Sequence, residues 1–521
     1  MRKLCRVMIS RYTLCALIIL LDLSLLVYLA LYAYRYSVAF FAVSAIVTAA
    51  ILVSLINRDA NPEFKITWLV VLLLLPTFGA LLYVLFYSRR MSKREARFAA
   101  GLYDRIKQNA EGSGDSALSL ATLSELSLAS RSGAGTAHAL LSDDPLAAVA
   151  SAEGVEYYPS GEEFYDSLLE ALRSAERYIF LEYFIIAEGE MWDGIHAVLK
   201  ERVEAGVEVR VLYDDIGSMS TVPYGFDKRL RAEGILARRF AKVRPTLNSS
   251  LQNRDHRKIA VVDGRVAFTG GMNIADEYIN RINRFGHWKD GGVKVEGRAA
   301  RTFTRMFLAQ YDLAVGRISE YDRYLPANLS TGADICKENG FVVPFCDGPA
   351  PISPAAVGKS LFINVINSAS SYVYITTPYL IIDYELTEAL RGAVKRGVDV
   401  RIITPAAADK RLVKIMTKNS YSYLTKAGVR IFEYSPGFIH EKTLVSDGTV
   451  AIVGTINLDY RSLVHHFEDG VFIHSSPVID KIRDGFFETE AKSREILSDR
   501  AKLRLHERIV RDLIRIFAPL L

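Results

Sequence analysis

The chain has 521 residues, with 64 basic against 59 acidic side chains, a net charge of +5 and half of its residues apolar. That supplies one or two globular domains plus apolar segments; it excludes a chain disordered overall, and the absence of a strongly basic balance argues against a nucleic-acid binder. The four cysteines, Cys5, Cys15, Cys336 and Cys346, are too few for a disulfide framework and have no zinc spacing, so they read as free thiols.

Three apolar runs open the sequence, at residues 14–34, 38–56 and 66–87, and each has the length of a bilayer span. A signal peptide is the alternative for the first, but no small-residue cleavage site follows it and more apolar sequence does. Residues 1–100 therefore read as an anchor of two or three transmembrane helices, in which Asp22 needs a partner or a neutral state. With three spans the flanking basic residues balance and give no orientation. With two, the first run lying at the interface, Arg58 and Lys65 stand alone on one side. That places the globular part in the cytoplasm, beneath the cell membrane, and the 57–65 loop outside.

Residues 101–150 shift to Ser, Ala, Gly and Leu, a linker with some helix. Beyond it, helical spacing at 161–177, a buried strand at 178–184, a helix at 191–205 closed by Gly206 and a strand at 207–213 make a βαβ pattern. The pattern returns at 360–371, 372–378, 384–396 and 398–404. Two homologous α/β half-domains, 151–330 and 331–500, are expected to pack as one body. Residues 501–521 interleave arginine with leucine and isoleucine, either a membrane-surface helix or an amphipathic helix packed on the domain.

Each half carries the same constellation. His256, Lys258 and Asp263 are matched in spacing by His440, Lys442 and Asp447, 184 residues later, and Gly270 and Asn273 are matched by Gly454 and Asn457. Five agreeing positions point to an internal repeat. Asp263-Gly264 and Asp447-Gly448 read as hairpin turns between strands, with His and Lys two residues apart on one face. Such a pair sets an acid or nucleophile beside a fixed cation and suits an anion. One pair is half of an acid–nucleophile set; two complete it.

These residues resemble the HKD signature of the phospholipase D superfamily, and within it the bacterial cardiolipin synthases. Asn253-Arg254-Asp255, Gly286-His287-Trp288-Lys289-Asp290, Thr377-Pro378-Tyr379 and the run from Gly454 to Ser462 extend the match, while Glu441 departs from it and is expected to point away from the site. The resemblance implies two motifs facing each other across a pseudo-twofold axis, with one shared site. It implies a catalytic set of His256, Lys258, Asp263, His440, Lys442 and Asp447, in which the two aspartates are better read as turn-fixing residues. His256 would attack phosphorus and His440 would protonate the departing glycerol. Lys258, Lys442, Asn273 and Asn457 would clamp the phosphate without metal or cofactor. The implied substrate is phosphatidylglycerol in an anionic membrane, joined to give cardiolipin. Alternatives are a phospholipase D or another phosphatidyl-alcohol transferase, a nuclease on the same fold, and a non-catalytic lipid-binding scaffold, which has no need of two histidines.

Each histidine also needs a partner for its second nitrogen. Asp290 and Glu468 are the candidates, following His256 by 34 residues and His440 by 28; a solvated acid at a strand start is an equal reading. His287, His465 and His466 share no metal spacing and are set aside.

Overall fold

The turn dipeptides set the geometry of both hairpins. Asp263 and Gly264 have φ of 55° and 67°, and Asp447 and Gly448 have 52° and 69°, the double positive φ of the tight turn whose twist matches paired strands. The aspartates gain from this conformation. Asp263 accepts hydrogen bonds from the backbone N–H groups of Glu176, Arg177 and Tyr178 at 2.7–2.8 Å, and Asp447 does the same for Ser370, Ser371 and Tyr372. Each carboxylate thereby pins a hairpin to the start of the neighbouring strand. Asp263→Ala is expected to cost about 2–4 kcal/mol of stability, read as a lower denaturant midpoint, with activity per folded molecule retained. Lost activity at normal stability would return Asp263 to the chemistry.

The computed structural model describes residues 38–58, 61–84, 93–112, 131–242, 253–325, 340–349 and 356–497, with isolated positions between 20 and 32 and at 119 and 515. The expected C-terminal helix, Asp22, Cys5, Cys15, Cys336 and most of the first apolar run lie outside the described residues.

Both halves build the same mixed sheet. In the first, the spatial order is Glu156–Tyr158, Gly292–Glu296, Val266–Gly270, Lys258–Val262, Tyr178–Tyr183, Glu208–Asp214 and Leu236–Phe240. In the second it is Ala150–Ser151, Phe341–Asp347, Glu468–His474, Val450–Gly454, Thr443–Ser446, Tyr372–Thr376, Asp399–Pro405, Arg430–Tyr434 and Ser493–Glu495. The βαβ crossovers give parallel pairs, such as Tyr178–Tyr183 with Glu208–Asp214, and the motif hairpins add antiparallel ones. The two sheets share a core in which Val261, Val293 and Val295 of the first meet Val445, Val453 and Val471 of the second, together with the helix Arg298–Val315. Helices cover the opposite faces, where Leu168, Leu199 and Leu390 are buried.

The residues expected to form a linker carry two helices, Lys93–Gly112 and Arg131–Asp143. Leu102 and Ile106 of the first enter the shared core, and Ala137 and Leu140 of the second pack on the other half. In the second, a Cβ on Gly133 would stand 2.0 Å from the His474 ring, so a small residue there serves packing rather than flexibility.

The apolar region also differs from three parallel spans. Val38–Ile56 is one 19-residue helix without a charged residue. The third run breaks, because Pro76 has no N–H and drives Leu75 out of the helical region, to φ −132° and ψ 67°. The helices Pro62–Leu74 and Pro76–Leu82 then fold against each other. Trp68 meets Tyr83 edge-on at 5.3 Å, and a Cβ on Gly79 would lie 2.6 Å from the Val71 carbonyl, so only glycine allows that approach. Among the described residues no helix is long and apolar enough to cross a membrane. The side chains of Val38–Ile56 are described only from Ala42, about 22 Å of helix against a hydrocarbon core of about 30 Å.

Candidate active site

Two short parallel contacts between the halves assemble the site. Gly437–Ile439 runs beside His287–Lys289, with Ile439 opposite Lys289, so the next residues, His440 and Asp290, become neighbours. The pseudo-equivalent contact is a bridge between Asp255 and Phe467, which makes neighbours of His256 and Glu468. Backbone bonds fix both arrangements: His440 N–H donates to the Lys289 carbonyl at 2.8 Å and His256 N–H to that of Phe467 at 2.9 Å.

Consequently each histidine is partnered by an acid of the other half. His256 Nδ1 lies 2.9 Å from both oxygens of Glu468, and His440 Nδ1 lies 2.9 Å from Asp290 Oδ2. This corrects the assignment of each acid to the histidine it follows in sequence. Both acids are fully buried, so they are not solvated acids at strand starts. Lys258 and Lys442 join the same cluster: each feels the charge of both Asp290 and Glu468, and Lys442 is repelled by Lys258. Burial lowers Lys258 to about 8 and Lys442 to about 7. The lysine side chains fold back, Lys258 Nζ to the His256 carbonyl at 2.6 Å and Lys442 Nζ to the His440 carbonyl and, at 2.9 Å, to His440 Nδ1.

The two histidines do not share one environment. Burial depresses both imidazoles well below their ordinary value; Glu468 opposes this at His256, whereas Lys442 and Lys258 add to it at His440. Burial penalises the Glu468 carboxylate too, but His256 and His466 outweigh it and hold it well below the ordinary range. The same burial raises Asp290 to about 6. Thr455 contributes to the difference, its hydroxyl donating to Glu468 at 2.5 Å, while the aligned position in the first half is Gly271. A Cβ on Gly271 would stand 2.0 Å from Asp290 Oδ1 and 2.6 Å from the His440 carbonyl. His256 is flanked by Phe184 and His466, and His440 by Tyr278, Trp288 and Phe438.

Asn273 is engaged on both sides, accepting from Ile185 N–H at 3.0 Å and donating to the Tyr278 hydroxyl at 2.6 Å. Asn457 is buried with its oxygen unpartnered. Asp263 and Asp447 sit at the far ends of the hairpins, five residues beyond the lysines and about 16 Å along the strand.

Several participants have no motif to announce them. Asp469 ties the halves together, accepting from Lys258 N–H at 3.1 Å and from the Thr269 hydroxyl; it aligns with Gly291, and that mismatch was its only signal. Glu441 is buried and accepts from Lys289 Nζ at 2.8 Å and from the Tyr157 hydroxyl, bracing the strand that delivers Asp290. At the matching position Arg257 is buried 3.8 Å from Glu182. Burial lifts Asp255 to about 7 and Glu182 well above its ordinary value, so this acidic pair behind His256 retains a proton.

A mixed α/β body with two histidine–lysine sets converging between duplicated halves defines the phospholipase D-like class. Residues 168–284 and 362–489 match the family described as "Cardiolipin synthase, PLD-like domain", and residues 46–86 match "Phospholipase_D-nuclease N-terminal". A cardiolipin synthase of Halalkalibacterium halodurans is 30% identical over 91% of this chain and 92% of its own. One of Alkalihalophilus pseudofirmus is 32% identical over 89% and 90%. The chain belongs to the cardiolipin synthase family of phospholipase D-like proteins. The crystal structure of a phosphatidylserine synthase from Haemophilus influenzae shares the fold, with a TM-score of 0.55 at 15% identity over 74% of this chain and 98% of that one.

Proposed function

We propose that the protein is a membrane-bound phosphatidyltransferase that joins two phosphatidylglycerol molecules into cardiolipin and releases glycerol. The observation that carries this reading is the crossed partnership of the histidines, which leaves neither half with a complete acid–nucleophile set. The relatives that match over nearly their whole length are named cardiolipin synthases, and this selects the lipid.

The reaction follows from the proton positions. His256 gives its Nδ1 proton to a hydrogen bond with Glu468, so the Nε2 lone pair attacks phosphorus. The P–O bond to glycerol breaks as His440 Nε2–H protonates the departing oxygen, leaving a phosphatidyl group on His256. Burial, and then the repulsion of Lys442 and Lys258, disfavour the charged imidazole of His440; an anionic phosphate beside it offsets that repulsion and lets His440 take up a proton from solvent before the glycerol oxygen departs. His440 then removes the proton from the hydroxyl of a second phosphatidylglycerol, whose oxygen displaces His256 from phosphorus. Lys258, Lys442 and the Asn273 and Asn457 amides surround the phosphoryl oxygens. Purified protein given labelled phosphatidylglycerol should produce cardiolipin and glycerol in equal amounts. Phosphatidic acid as the main lipid product would make it a phospholipase D instead.

The N-terminal helices hold this site against the bilayer. Val43, Ile46, Val53, Ile66, Leu73 and Leu74 expose 56–74% of their surface, an apolar patch that suits lipid. The 57–65 loop docks on the catalytic body. Asn61 Nδ2 donates to Asp383 at 3.2 Å, and Glu63 accepts from Tyr384 N–H at 3.0 Å and from the Tyr460 hydroxyl. These contacts support a reading in which the loop lies on the same side as the globular part, against the expectation that it lies across the membrane, with residues 62–84 as a re-entrant hairpin. A cysteine at Asn61 should therefore react with an impermeant reagent only under conditions that also label the globular domain. Labelling from the opposite side would reject the hairpin.

A further inference from the structure

His466 has no place in the reaction derived above. It is 8% exposed, and its Nδ1 is buried without a hydrogen-bond partner. The nearest acceptor is Glu468 Oε1 at 3.6 Å, and its ring lies 5.4 Å from that of His256. An unpartnered buried imidazole nitrogen is costly, and this one is aimed at the carboxylate that already holds His256. One ligand atom each from His256, His466 and Glu468 lie within 4.8 Å of one another.

We propose that His256, His466 and Glu468 form a three-ligand site for a zinc-class divalent cation, and that filling it switches the enzyme off. At metal–ligand distances of about 2.0–2.2 Å, tetrahedral ligands stand about 3.3 Å apart. The 2.9 Å and 3.6 Å separations here straddle that value, so small side-chain shifts close the site. Two imidazoles and one carboxylate with a fourth position open are a donor set that suits zinc over magnesium or calcium. In the first half the position of His466 is held by Trp288, which offers no ligand, so the site forms only beside His256.

Inhibition follows from the tautomer. A cation on Nδ1 of His256 takes the lone pair there and leaves the ring proton on Nε2, the atom that must attack phosphorus. The Glu468 hydrogen bond to Nδ1 is replaced by a bond from Glu468 to the cation. No proton is lost and none is gained, yet the nucleophile is gone.

This inference rests on His256 as the reacting group. Its test uses the full-length purified protein, with zinc binding measured by competition with a chromogenic chelator alongside transfer from phosphatidylglycerol. One equivalent of zinc should bind to the unmodified protein and to His440→Ala. Affinity should fall roughly tenfold or more in His466→Asn. Zinc should inhibit transfer reversibly on chelation, and His466→Asn should resist by the same factor, relative to its own metal-free rate. His466→Gln and the absorption of bound cobalt, present in the unmodified protein and lost in the variant, provide an independent readout should the asparagine variant fold poorly. Zinc binding and inhibition unchanged in both variants, or no zinc bound, would overturn the site. Zinc bound as expected in a protein that makes no cardiolipin would reject the proposed function and leave the site standing.

Discussion

His256→Ala and His440→Ala are each expected to lower phosphatidyl transfer by about four orders of magnitude while the protein stays folded in the membrane. The size of the loss reflects two separate bond changes. Without His256 the reaction loses the Nε2 lone pair that the Glu468 hydrogen bond at Nδ1 sets up for attack on phosphorus. Without His440 the glycerol oxygen departs unprotonated, and no base remains for the incoming hydroxyl. The two losses should differ in kind. His440→Ala retains the nucleophile and can accumulate the phosphatidyl intermediate when given a substrate whose leaving group departs without an acid, whereas His256→Ala cannot. Either variant turning over near the normal rate removes that histidine from the mechanism.

Glu468→Gln is the second large effect, expected at about two to four orders of magnitude. The amide offers an N–H as readily as an oxygen to His256 Nδ1, so the ring is released to hold its proton on Nε2. Because Glu468 belongs to the second half and His256 to the first, the decisive comparison is the double variant. His256→Ala with Glu468→Gln should be little slower than His256→Ala alone, and His440→Ala with Asp290→Asn little slower than His440→Ala, since each acid acts chiefly through its partner and only secondarily through the charge it places near Lys258 and Lys442. Glu468→Gln should still slow His440→Ala further. If the acids instead coupled to the histidines of their own halves, the pattern of non-additivity would be reversed.

Much of the fold was legible because it is written twice. The helix and strand boundaries at Tyr178–Tyr183, Glu190–Glu204, Tyr372–Thr376 and Tyr384–Lys395 lie within a few residues of the hydrophobic pattern, and the Asp-Gly turns fixed both hairpins. What pattern could not convey was contact between halves. Asp290 reaches His440 through a three-residue parallel pairing, too short for any periodicity, and the acid closest in sequence was the natural wrong assignment. His466 was set aside because its companions lie 210 residues away and two residues away, a spacing that no metal motif shares. Hydropathy likewise carries no direction: residues 66–87 look like a span by composition, and only Pro76 and Gly79 mark the place where the chain turns back.

The central claim is a single site shared between the halves, with one nucleophile. It is tested most directly by trapping the protein with phosphatidylglycerol labelled in its phosphate, quenching, digesting, and locating phosphohistidine by mass. Label confined to the peptide containing His256, and raised in His440→Ala given a substrate with an activated leaving group, is the predicted result. Equal label on the His256 and His440 peptides of the unmodified protein would contradict it, and would mean two independent sites or exchangeable roles.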